Sequence, residues 1–97
     1  MGNASSGFAG PAIAVFLLAD NRLLREALLR ILSKRDDIRV VGAGSYAPYT
    51  LEQIFSTRAS VVVLDSVSPV LAEPGVVRQL HQMAPAIKVV MVGMESE

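Results

Sequence analysis

SVVVLDSVSP, from Ser60 to Pro69, is the stretch whose reading decides the fold. Ser60 to Leu64 reads as a strand, all Val and Leu after its first residue, that ends on a carboxylate, Asp65, and a Pro-rich loop from Ser66 to Pro74 follows. A run with no polar alternation reads as a strand buried on both faces, as in a parallel sheet covered by helices. An acid at its carboxyl end stands where open parallel sheets bind their ligands.

Outward from that stretch the same pattern repeats. Ala12 to Leu18 is another continuous apolar run, closed by Ala19, Asp20 and Asn21. Asn21 to Lys34 then carries Leu23, Leu24, Ala27, Leu28, Ile31 and Leu32 at helical spacing, with Arg22, Arg25, Glu26 and Arg30 on what reads as the wet face. Ile38 to Val41 is a short second strand, Gly42 to Pro48 a loop, and Thr50 to Thr57 a helix with Leu51, Ile54 and Phe55 on one face. On the far side of Ser66 to Pro74 a third helix runs from about Gly75 to Met83, stopped by Pro85, and Ile87 to Val92 is a fourth strand. The order is βαβαβαβ. Right-handed crossovers place a helix against one face or the other, so the expected architecture is a three-layer α/β domain. If the first and third strands are neighbours, Asp20 and Asp65 converge on one site able to hold a hard cation such as Mg²⁺ through oxygen.

Ninety-seven residues suit one domain, since domains usually run to roughly 100–150 residues. The composition is 52% hydrophobic, enough for a buried sheet. Nine basic residues balance nine acidic ones without a like-charged block, which leaves no electrostatic footprint for nucleic acid or an anionic membrane. The absence of cysteine excludes a disulfide framework and a thiolate zinc site and fits a cytoplasmic setting. Residues 1–11 read as a flexible leader with a lone Phe8, and every later apolar run meets a charge before the ~18 residues a membrane helix needs.

Three segments, LLADNRLLREALLRIL from Leu17, SVVVLDSVSP from Ser60 and VVRQLHQMAPAIKVVMV from Val76, resemble the receiver domains of two-component response regulators. These have the flavodoxin-like (CheY-like) fold, and the likeness is to the subfamily whose receivers precede a helix-turn-helix output domain. It covers Ile13 to about Met94 and implies a strand order of 2-1-3-4, truncated after the fourth strand. Pro69 stands four residues beyond Asp65, as in the family. The resemblance implies that Asp65 is the phosphoacceptor, supplied by a sensor histidine kinase, and that Asp20, Asp65 and the Val67 backbone carbonyl hold Mg²⁺. Asn21 and Gly93 take auxiliary positions: the family's acidic pair is reduced here to Asp20 between Ala19 and Asn21, and Gly93 stands where the family has a hydroxyl. No lysine matches the one the family carries near its fifth strand. A degenerate receiver acting as a dimerisation or protein-interaction module is therefore the second reading, and no enzyme activity is implied.

Removing the fifth strand leaves strand four as an apolar edge, so self-association is expected, either by pairing of two strand-four edges or by exchange of elements between copies. A third reading comes from VVGAGSYA, Val40 to Ala47, which satisfies G-x-G-x-x-A behind a strand, with Asp65 at the end of the next strand. That is the fingerprint of a Rossmann-type dinucleotide-binding fragment. His81, without a second His or a Cys nearby, reads as a solvated helix residue, and Met83, Met91 and Met94 as apolar fillers. No Ser-His-Asp or Cys-His set has workable spacing.

Overall fold

The computed structural model describes residues 12–47, 50–65 and 74–93. The leader at 1–11, Val67, Pro69 and Met94 lie outside the described residues. Seven elements follow in order: β1 (Ile13–Leu18), α1 (Arg22–Ser33), β2 (Ile38–Gly44), α2 (Thr50–Thr57), β3 (Val61–Asp65), α3 (Pro74–Met83) and β4 (Lys88–Val92). Among the described residues the strands form one parallel sheet of order β2-β1-β3-β4, the order expected of the first four strands of a flavodoxin-like α/β fold.

The central strands β1 and β3 carry the buried core because they are apolar on both faces, whereas β2 is at most half-buried and β4, expected to be covered like them, leaves Val90 and Met91 exposed. Phe16, Leu18, Val62 and Leu64 point to one side and pack with Ile54 of α2, Val76 and Leu80 of α3, and Ile87. Val15 and Leu17 alternate with them and are buried on the other side, where α1 lies across β1 and β2. Complete burial of Leu17, Leu18, Val62 and Leu64 contributes roughly 1.5–3 kcal/mol per side chain before entropy is counted.

The most informative departure from the sequence reading is β2. It runs to Gly44, through the segment expected to be loop. Pairing steps from Val15–Val40 to Phe16–Gly42, so Val41 is an extra residue that bulges out and the ladder resumes along Gly42, Ala43 and Gly44. Gly42 permits this, because a Cβ there would lie 2.5 Å from the Phe16 ring. Both glycines of the apparent dinucleotide fingerprint thus sit inside a strand, α2 begins only at Thr50, and β1 separates β2 from the strand that carries Asp65. The dinucleotide reading is overturned: its phosphate-binding turn needs the glycines between strand and helix, and its acid on the adjoining strand.

A second correction concerns α1. Leu24, Leu28 and Leu32 are half-buried, but Leu23 and Ile31 are 79% and 60% exposed, and Arg25, read as solvated, is half-buried. One narrow stripe of the helix faces the sheet, and Arg25 lies beside it.

Candidate site at the carboxyl edge of the sheet

The carboxyl ends of β1 and β3 are adjacent, with Leu18 opposite Leu64, so the residues that follow each strand leave the sheet side by side. Asp65 ends β3 and is 2% exposed. A carboxylate taken out of water needs hydrogen bonds to offset lost hydration. One comes from the β1–α1 turn, where the Asn21 backbone N–H donates to Asp65 Oδ2 at 3.3 Å.

That turn is held from several directions. The Asn21 side chain caps α1, its Oδ1 accepting from the Leu24 N–H at 3.0 Å. Arg25 reaches back from α1 and donates from Nη1 to the Ala19 carbonyl at 2.6 Å, a charge-assisted bond at the end of β1. Asp20 is exposed, and its Oδ1 accepts the Tyr46 N–H at 2.9 Å, which ties the first turn to the loop after β2. That loop is closed by the buried Thr50, whose Oγ1 accepts from Ala47 N–H at 2.7 Å and donates to the Ser45 carbonyl at 3.3 Å.

Four residues singled out in the sequence therefore lie at one edge: Asp20, Asn21 and Asp65, together with Gly93, which follows β4 directly after Val92, the register partner of Asp65. The exposed Gly93 brings only backbone. Val67 lies outside the described residues. His81 is exposed on α3, away from this edge. Among the described residues no group of three or more His, Cys, Asp or Glu side chains could hold a metal. Two carboxylates remain, and they fit Mg²⁺, which is commonly held by one or two carboxylates with water and phosphate oxygens completing its octahedron. Asn21 is a poorer ligand than its residue type suggested, because its side-chain oxygen is engaged in the helix cap. Arg25 and Tyr46 were missed as parts of the site. A long cation one turn into a helix carries no sequence mark of the carbonyl it will reach, and Tyr46 contributes only its backbone.

The fold and edge define a parallel α/β domain with an acidic pair at the strand termini. No family model matches the chain. It is 35% identical over 88 residues to protein-glutamate methylesterase/protein-glutamine glutaminase 5 of Myxococcus xanthus, a match that takes in 88% of this chain and 25% of that protein. The chain thus spans about a quarter of the length of this curated relative. No helix among the described residues is long and apolar enough to cross a membrane.

Proposed function

We propose that the chain is a receiver-type signalling domain that takes a phosphoryl group on Asp65. The observation that carries this reading is the buried Asp65 carboxylate at the end of the central β3, bonded to the β1–α1 turn beside Asp20. Burying a carboxylate costs stability, and a parallel sheet does not need one to fold, so this acid is better explained by chemistry than by structure. The partial match to a much longer relative fits a receiver-sized module within a larger regulator. That relative's methylesterase and glutaminase activities are its own, since three quarters of its length lies beyond the match.

In this reading a carboxylate oxygen of Asp65 attacks the phosphorus of a phosphohistidine on a sensor histidine kinase, or of a small acyl phosphate. The P–N or P–O bond breaks, and the leaving group departs with the electron pair. Asp20 and Asp65, with the Val67 carbonyl that the family resemblance adds, would hold Mg²⁺, which neutralises charge on the phosphoryl oxygens when bound. The chain's own contribution is placement: Asn21 N–H holds Asp65 Oδ2, and Arg25 braces the turn that carries Asp20.

Gly93 favours a second reading, a degenerate receiver that acts by association. It offers no hydroxyl to sense an aspartyl phosphate. In this reading copies pair through the β4 edge, where Val90 and Met91 are exposed.

The two are separated by intact mass after incubation with Mg²⁺ and acetyl phosphate. Gain of one phosphoryl group, lost in Asp65→Asn, is the expected result. No gain in wild-type protein, with the fold intact by circular dichroism, refutes the phosphoacceptor and leaves the association module.

A further inference from the structure

The opposite edge of the sheet carries a feature that the acid pair does not use. There the C-terminal end of α2, the α2–β3 link and the α3–β4 link line an open hollow of about 550 Å³, within the size range of ligand sites. Its floor is Ile54, Ala59, Ala84 and Ile87, and its rim carries Phe55, 58% exposed, and Arg58. Among the described residues the Arg58 side chain has neither an ion-pair nor a hydrogen-bond partner. The backbone at Arg58 is left-handed, φ 58°, where it follows the last turn of α2. A non-glycine residue in that conformation costs roughly 1–2 kcal/mol.

Among the residues that line this cavity, Arg58 is the one charged side chain. From Gln53 to Leu64 and from Pro74 to Gly93 there is no acidic residue, while the same two stretches hold Arg58, Arg78 and Lys88. The acids of the described residues are instead on β1–α1, the loop before β2, the start of α2, and Asp65 at the far end of β3. An apolar floor with an exposed aromatic and an unpaired guanidinium at its rim complements a chain segment that buries an apolar side chain and presents carboxylates beside it.

We propose that this groove docks an acidic, apolar-anchored peptide segment of a partner protein, with Phe55 as the hydrophobic contact and Arg58 as the anion contact. The groove lies at the amino edge of the sheet, opposite the acid pair. The proposal is independent of the phosphoacceptor reading.

The test uses the whole chain and a labelled probe, acetyl-Asp-Leu-Glu-Phe-Asp-amide, followed by fluorescence anisotropy and by nitrogen-edited NMR. Two control peptides replace its three acids with Lys, or its Leu and Phe with Ser. Arg58→Gly suits the left-handed backbone and keeps the fold at least as stable, so lost binding in that variant reports the guanidinium. Saturable binding is expected, with amide shifts confined to α2 and to the 84–88 segment, weakened about tenfold or more in Arg58→Gly and in Phe55→Ser and absent for both control peptides. The proposal is overturned by no saturable binding, by equal binding of the Lys peptide, or by unchanged affinity in Arg58→Gly. It is also overturned if decanoate alone fills the groove, or if Phe55→Ser dissolves a dimer, since a fatty carboxylate or a second copy would then be the occupant.

Discussion

Replacing Gly42 with alanine tests how β2 packs, and with it the placement of the loop that contacts Asp20. The added methyl would meet Phe16 Cε2 at 2.5 Å and Cδ2 at 2.7 Å, well inside van der Waals contact, so the buried Phe16 ring must shift. Over-packing of this kind costs about 1–3 kcal/mol. Against it stands the gain of about 0.4–1 kcal/mol that alanine brings over glycine by restricting the unfolded chain. The net expectation, taken at the middle of both ranges, is a loss of about 1.3 kcal/mol, which for a domain of this size lowers Tm by roughly 5–10 °C. Gly44→Ala is the internal control: it lies two residues along the same strand, has a negative φ, and a Cβ there meets nothing within 4 Å, so it should leave stability unchanged or raise it. Phe16→Leu removes the ring edge, so the pair Phe16→Leu with Gly42→Ala should be less destabilised than the sum of its singles, by about 1 kcal/mol in a double-mutant cycle. Thermal and urea unfolding followed by circular dichroism read both quantities. If Gly42→Ala is as stable as the parent, or Gly44→Ala is hurt equally, the Phe16–Gly42 packing and the bulge that creates it are wrong.

Three further outcomes follow from particular contacts. Asn21→Ala removes the cap on the Leu24 N–H and should cost about 1 kcal/mol in urea unfolding, whereas Asn21→Asp keeps an acceptor and costs less. Glu26 and Asp37 are held below the usual carboxylate range, chiefly by side-chain hydrogen bonds from Arg22 and Arg35. Because a lowered folded-state value favours the charged form, their contribution is present above the ordinary carboxylate range and is lost as pH falls through the lowered values. Both pairs are exposed, so the acid-induced difference in Tm between the parent and Arg22→Ala should be small and should vanish in molar salt. Under the association reading the parent is a dimer in light scattering and Val90→Lys on the exposed β4 edge is a monomer with unchanged circular dichroism; a monomeric parent would refute that reading, and a dimeric variant would exclude that edge.

Element type and order were legible in the chain because parallel strands buried on both faces must be apolar throughout, and amphipathic helices must repeat every three to four residues. β1, β3, β4 and all three helices fall within a residue or two of their sequence-read limits, and Asp20, Asn21, Asp65 and Gly93 follow or end strands on the same carboxyl edge. Only the tertiary structure decided the rest. Gly42 to Gly44 look like a loop until Phe16 is packed opposite them, because pairing across a sheet is a long-range choice that overrides local propensity. Arg25 looks solvated until the Ala19 carbonyl, six residues back, is placed within reach. The groove beneath Phe55 and Arg58 exists only once the end of α2 is packed against the α3–β4 link. Residue spacing along one element carries the periodicity of a face, whereas contacts between elements depend on register and packing, which no single segment encodes.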